Sequence, residues 1–290
     1  MNFLKSFILG VSIILITPSQ LFSQGGKVFD SLSLPSKILK MDRKFSIYLP
    51  PDYETSNRSY PVLYLLHGAG DDHTGWVQFG EVKWITDKAI AEGKCTAMIV
   101  VMPDANTGQR GYFNSPKGDW NYEDFFFQEL IPHVEKTYRI RTDKRYRAIA
   151  GLSMGGGGAF MYALHHPELF SSSCPLSAYC GPLSIDELAR PWEKQLEGIT
   201  DEQKQKYFER HSALELVENM PDDQKKAVRW YIDCGDDDFL FEGNSLLHIA
   251  MKKKEIPHEF RILEGVHSWT YWRESLPNVL DFVSQAFHQY

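Results

Sequence analysis

Short apolar runs alternate along most of the chain with longer stretches whose apolar positions recur every three or four residues. The runs at 44–49, 61–66, 97–102, 146–152, 171–176, 229–234 and 259–263 read as strands, most of them rich in Val, Ile, Leu and aromatic residues. The segments 82–91, 122–138, 155–165, 240–253 and 275–287 carry the helical period. Several strands are apolar at successive positions rather than alternate ones, which is what burial of both faces requires. The pattern therefore predicts an α/β fold, a mostly parallel central sheet with helices on both faces. One stretch breaks the alternation. Residues 185–226, between the strands expected at 171–176 and 229–234, are dense in Asp, Glu, Lys and Gln. We expect a helical insertion at about 183–226, either a solvated excursion or a cap over a site.

The first 23 residues follow different logic. Lys5 precedes an apolar stretch from Phe7 to Ile16 broken only by Ser12, and a polar segment then leads to Ser23. Such a stretch falls short of the roughly 20 residues that cross a bilayer, and its layout is that of a secretory signal peptide. The expectation is cleavage near Ser23, leaving 24–290 as one domain, secreted or periplasmic, with no membrane association once the signal is gone. A retained N-terminal helix is the alternative.

Composition narrows the class. Of 290 residues, 43% are apolar and 24% charged, an ordinary globular balance that excludes disordered, fibrous and polytopic membrane chains. A net charge of -7, with no dense run of Lys or Arg, argues against nucleic acid as a partner. The four cysteines, Cys95, Cys174, Cys180 and Cys234, include no CxxC, which removes metal knuckles and thioredoxin-type chemistry. They allow at most two bridges, and Cys174 and Cys234 fall in adjacent expected strands, where they read as plain hydrophobes.

Chemistry concentrates at one strand-to-helix junction. Gly151-Leu152-Ser153-Met154-Gly155 is a G-x-S-x-G run between the strand at 146–152 and the helix that follows. A serine on so tight a turn stands clear of the sheet, with glycines where a Cβ would clash, and the helix dipole and the Met154 amide point to where an oxyanion would form. Gly156, Gly157 and Gly158 extend the run, but Ala159 and Phe160 follow where a phosphate loop needs Lys and Ser or Thr. A dinucleotide fingerprint fails too, since neither this run nor Gly68-Ala69-Gly70 has its third glycine at the required offset.

A nucleophilic serine needs a base, and the base needs a carboxylate to fix its tautomer. In sheets with this turn the acid and then the histidine follow the serine. Downstream lie His165, His166, His211, His248, His258, His267 and His288. His165 and His166 end the serine's helix, His211 lies in the polar insertion, His258 begins a strand, and His248 and His288 fall within or just past helices. His267 sits in a loop just beyond the carboxyl end of a strand, where open α/β sheets place their chemistry, and is the candidate base. The acid should come from Asp233, Asp236, Asp237 or Asp238, among which spacing does not choose. A divalent cation on this run is disfavoured, because consecutive residues do not converge on one ion. Upstream, His67-Gly68-Ala69-Gly70 ends the strand at 61–66 and offers the Ala69 amide as second oxyanion donor.

These residues resemble the esterase D or carbohydrate esterase family 1 group, which includes feruloyl esterases, acetylxylan esterases, S-formylglutathione hydrolases and mycolyltransferases. The resemblance covers 37 to the C-terminus and rests on Leu66-His67-Gly68, on Gly151 to Gly156, on Cys234-Gly235-Asp236-Asp237-Asp238-Phe239, and on Gly265-Val266-His267 with Trp269 and Trp272. It implies an α/β-hydrolase fold working without a cofactor, with Ser153, Asp238 and His267 as catalytic residues and Ala69 and Met154 as oxyanion donors. A cytosolic S-formylglutathione hydrolase fits poorly with an export signal, and the cysteine-bearing oxyanion loop common in those enzymes is absent. The expectation is an exported serine carboxylesterase that removes feruloyl or acetyl groups from plant polysaccharide such as xylan, or cleaves a small aryl ester. An acyltransferase, a thioesterase and an inactive sugar-binding homologue are the alternatives. Tyr112, Phe113, Trp120, Trp269 and Trp272 are placed in loops bordering the serine, where they could stack on a sugar or an aromatic acyl group.

Overall fold

The central strands are buried at every position because helices cover both of their faces. In the computed structural model, which describes residues 25–105, 111–189 and 196–288, the strands are β1 (Lys27–Ser36), β2 (Met41–Leu49), β3 (Val62–Leu66), β4 (Ile99–Pro103), β5 (Arg147–Leu152), β6 (Ser172–Leu176), β7 (Arg229–Gly235) and β8 (His258–Leu263). They form one sheet in the order β1-β2-β4-β3-β5-β6-β7-β8. β1 and β2 pair antiparallel, β2 meets β4 antiparallel, and all other neighbours are parallel. The expected signal segment at 1–23 and residues 190–195 of the expected insertion lie outside the described residues. Among the described residues no helix is long and apolar enough to cross a membrane.

The helices are α1 (Gly75–Gln78), α2 (Val82–Ala91), α3 (Tyr122–Phe125), α4 (Ile131–Thr137), α5 (Met154–His165), α6 (Asp201–His211), α7 (Ala213–Glu218), α8 (Phe241–Lys253) and α9 (Trp269–His288). β3 shows how both sides are filled. Tyr64 and Leu66 join Phe126, Phe160 and Leu247 in one core layer, whereas Leu63 and Leu65 join Ile85, Leu276 and Val279 in the other. Each such side chain, fully withdrawn from water, contributes on the order of 1.5–3 kcal/mol.

Three elements differ from expectation. β1 gave no apolar signal because it is an edge strand, exposed along most of its length and held by its pairing with β2. The helix expected at 122–138 is interrupted by a π turn at Phe126–Leu130. That turn carries Glu129, whose carboxylate accepts the backbone N–H groups of Lys37 and Ile38 in the β1–β2 turn. α9 begins at Trp269 rather than 275, although Pro277 lies inside it. Proline removes one helical hydrogen bond, but Tyr271, Trp272, Ser275, Leu276, Val279, Leu280 and Val283 form a continuous buried stripe that holds the first turns on the sheet.

Between β6 and β7 the chain leaves the sheet for a 3-10 turn at Ile185–Ala189 and then α6 and α7. α6 starts with a capping box between Thr200 and Gln203. Its far end is clasped to the body by the buried Glu123 carboxylate, which accepts from His165 at 2.8 Å and pairs with Arg210 at 3.1 Å. All four cysteines are buried and free.

Candidate active site

Ser153 follows the last residue of β5 and precedes the first of α5, with φ 54° and ψ −118°. This is the left-handed side of the map, uncommon for a residue with a side chain, and it lifts the hydroxyl off the sheet. The flanking glycines make the turn possible. A Cβ on Gly151 would lie 2.3 Å from the Gly155 carbonyl oxygen, and one on Gly155 would lie 2.5 Å from the oxygen of His67.

His267, in the loop between β8 and α9, approaches from the neighbouring strand ends. Its Nε2 is 2.9 Å from Ser153 Oγ, and its Nδ1 is 2.8 Å and 3.0 Å from the two carboxylate oxygens of Asp238. An ionised carboxylate only accepts, so Nδ1 carries the proton and Nε2 is left to accept from the serine hydroxyl. Asp238 is 1% exposed. Burial on its own would raise its pKa, but hydrogen bonds from His267, the Leu240 N–H and Ser177 outweigh this and hold the carboxyl below the ordinary value.

The neighbouring acids take other partners. Asp233 is buried beneath the loop and accepts from the hydroxyls of Tyr231 and Tyr271. Asp236 accepts the Gly265 N–H at 2.9 Å. Asp237 donates its own N–H to the Gly265 carbonyl at 3.1 Å, which ties the acid loop to the histidine loop.

The candidate oxyanion donors are the amides of Met154 and Ala69. Met154 is the first residue of α5, so its N–H lacks a partner within the helix and lies at the positive end of the dipole. Ala69 follows Gly68, whose Cβ position would lie 3.4 Å from Ser153 Cβ, which packs this loop against the serine. Beside it, His67 accepts the Ala105 N–H on Nε2 at 3.0 Å and so donates from Nδ1 to the Gly68 carbonyl at 2.8 Å. Burial lowers the His67 pKa, which keeps this tautomer neutral. Among the described residues no group of three or more His, Cys, Asp or Glu is arranged to hold a metal ion.

The aromatic expectations need correction. Tyr112 is 1% exposed, because its hydroxyl both accepts from the His67 N–H and donates to the His67 carbonyl, bracing the end of β3. Trp120 is buried against Gly111, to whose carbonyl it donates. Trp269 and Trp272 lie in the first turn of α9 rather than in a loop. Trp272 is buried, edge-on to the His267 ring at 4.8 Å, and donates Nε1–H to Ser177 Oγ at 3.1 Å. Tyr112, Trp120 and Trp272 are therefore scaffold, not stacking surfaces. Trp269 is half-buried among Trp76, Phe79 and Trp272. Phe113 is half-buried and packs edge-on against His211 of α6.

Beside the site, Ser177 carried no signal in the motifs, and Phe239 stood in one of them without an assigned role. Ser177, fully buried with φ 44°, follows β6 and links Trp272 to Asp238. Its place just after a strand's carboxyl end was the available clue. Phe239, next to the acid, has its ring centroid 4.4 Å from that of His267 and is 72% exposed.

The Esterase family model matches residues 36–283. A solved ferulic acid esterase superposes with a TM-score of 0.80 at 36% identity, over 91% of this chain and 99% of that one. The chain belongs to the esterase D and carbohydrate esterase family 1 group. The chain is 38% identical over 134 residues to the endo-1,4-beta-xylanase/feruloyl esterase of Xylanibacter ruminicola, 43% of this chain and 18% of that protein. It is also 29% identical over 283 residues to the S-formylglutathione hydrolase of Bos taurus, covering 88% and 92%. It spans less than a third of the first curated relatives that it matches.

Proposed function

We propose that the protein is an exported serine carboxylesterase that hydrolyses feruloyl or acetyl esters on plant cell-wall polysaccharide such as xylan. The observation that carries the reading is the unbroken chain from Asp238 through His267 to Ser153 Oγ. Ser153 Oγ attacks the ester carbonyl carbon while His267 Nε2 takes its proton. The carbonyl electron pair becomes an oxyanion held by the Ala69 and Met154 amides. It then reforms the carbonyl as the C–O bond to the alcohol breaks, and His267 returns its proton to the departing oxygen. Water, deprotonated by His267, attacks the acyl-serine in the same way and frees the acid. No step needs a metal or a cofactor.

The feruloyl reading is supported by the two feruloyl esterases named above, and export by the signal-like residues 1–23. The end-to-end likeness to an S-formylglutathione hydrolase supports a second reading, a thioesterase. One panel separates them: methyl ferulate, acetylated xylan, a short aryl acetate and S-formylglutathione, with Ser153→Ala as control. We expect the oxygen esters to be cut and Ser153→Ala to be inactive on all of them. Retained activity in Ser153→Ala overturns the nucleophile, and faster turnover of S-formylglutathione than of every oxygen ester overturns the substrate class.

A further inference from the structure

His267 Nε2 has two tasks in that reaction, and they locate the leaving alcohol. The nitrogen takes the proton of Ser153 Oγ, 2.9 Å away, and gives it to the alcohol oxygen as that oxygen leaves. The alcohol oxygen must therefore come within hydrogen-bond reach of Nε2, while the carbonyl oxygen turns to the Ala69 and Met154 amides. Of the substituents on the tetrahedral carbon, the alcohol is the one held against the imidazole.

Among the described residues, two aromatic rings contact that imidazole. Trp272, edge-on at 4.8 Å, is only 5% exposed. Phe239, tilted by 50° at 4.4 Å, is 72% exposed. Val266, the residue before the histidine, is 52% exposed. An open phenyl ring against the catalytic imidazole, with an exposed valine next to that histidine in sequence, is apolar surface that stays wet until something covers it.

We propose that Phe239 is a specificity-determining residue that receives the leaving alcohol, packing its exposed ring against the C–H face of a sugar. This rests on the serine esterase reading above and deepens it, by assigning carbohydrate preference to the alcohol side of the ester and to one side chain. The chemistry fits a furanose or pyranose ring, whose C–H face is apolar while its hydroxyls stay in water. A methyl alcohol is too small to cover the ring. Once the alcohol has left, Phe239 has no further contact with the substrate, so it acts on acylation and not on hydrolysis of the acyl-enzyme.

The test is a matched set. Ferulate and acetate are each presented as the methyl ester and as the 5-ester of arabinofuranose, to wild type and to Phe239→Ala and Phe239→Tyr. We expect Phe239→Ala to lose about tenfold in kcat/KM on both arabinose esters, mainly through KM, and less than about twofold on both methyl esters. Phe239→Tyr should restore the arabinose preference. The deacylation rate, read from single-turnover kinetics, and the pH profile on the methyl esters should match wild type. Equal loss on methyl and sugar esters would mean that Phe239 only props the histidine, and no loss on either would mean that the alcohol lies elsewhere. Both results overturn the proposal while leaving the esterase reading intact. Failure of wild type to hydrolyse any of the four esters, with Ser153 unlabelled by a fluorophosphonate, overturns the esterase reading and this proposal together.

Discussion

The Nδ1–H of His67 donates to the carbonyl oxygen of Gly68, the next residue, at 2.8 Å. Among the described residues every peptide bond is trans, so the carbonyl drawn toward the imidazole and the N–H of Ala69 point in opposite directions. His67 thereby sets the direction of the candidate oxyanion donor without touching substrate. We expect His67→Ala to lower kcat by about 100-fold, the scale of losing one oxyanion donor, with a smaller change in KM. His67→Asn, whose side-chain amide can donate from nearly the position of Nδ1, should recover most of the loss. Steady-state kinetics with a fluorophosphonate labelling rate on each variant checks this, and full kcat in His67→Ala would remove the positioning role.

Asp236 and Asp238 are two residues apart and should respond very differently to the same substitution. Asp238→Asn places an amide opposite His267 Nδ1 and favours the wrong tautomer, so kcat should fall by roughly 10³- to 10⁴-fold. Asp236→Asn keeps a carbonyl oxygen for the Gly265 N–H and should cost less than about threefold in kcat. A pH dimension follows from the depressed pKa of Asp238. A group whose carboxyl is lowered on folding contributes stability that is present above its unfolded value and is lost as pH falls through the folded one. Thermal melts of Asp238→Asn should therefore lack part of the acid destabilisation seen in wild type below about pH 4. A larger kcat loss for Asp236→Asn than for Asp238→Asn would reassign the acid.

The contrast between these two aspartates also marks what the sequence made visible. Ser153 was legible in a G-x-S-x-G run and His267 in a loop past a strand's carboxyl end, the apolar pattern locating both strands. The helix at Val82–Ala91 was legible to the residue for the same reason, an uninterrupted apolar stripe. Four aspartates within six positions were not separable, because their roles depend on which way one tight loop turns each carboxylate. Tyr112 and Trp272 were misplaced because an aromatic residue near a motif reads alike whether its polar atom is satisfied by backbone beneath the site or left open to a ligand. β1 was invisible because backbone pairing, not side-chain burial, holds most of it.

His211 gives the α6 segment an acid-sensitive attachment. It is buried, stacked on Tyr207 at 4.1 Å, with Nδ1 against the Tyr207 carbonyl at 2.9 Å. Burial pushes its pKa from 6.5 down to about 3. Between those values the unfolded chain binds a proton that the folded protein refuses, so stability rises with pH and falls as the solution is acidified. The expected loss is on the order of 1 kcal/mol per pH unit below about 6.5. Replacing the imidazole with a group that does not titrate, His211→Phe, should flatten this part of the profile even where it lowers the maximum Tm. Denaturant midpoints for both proteins at pH 7.0, 6.0 and 5.0 decide it, and parallel slopes would exclude His211 as the source.

Tyr271 should separate stability from catalysis. Its hydroxyl donates to the buried Asp233 carboxylate, which Tyr231 also reaches at 3.0 Å, while its ring fills the space where a Cβ on Gly265 would come within 2.5 Å. Gly265 lies two residues before His267, so the ring, not the hydroxyl, is what supports the histidine loop. Tyr271→Phe removes one hydrogen bond from a buried charged acceptor and should cost about 1–3 kcal/mol in unfolding free energy. It leaves the ring in place, so kcat should stay within about twofold of wild type. Tyr271→Ala removes both supports and should lower Tm further and reduce kcat by at least about tenfold, because the loop that carries the base loses its packing. Equal kcat losses for the Phe and Ala variants would mean that the Asp233 hydrogen bond, rather than ring packing, holds His267 in line with Ser153.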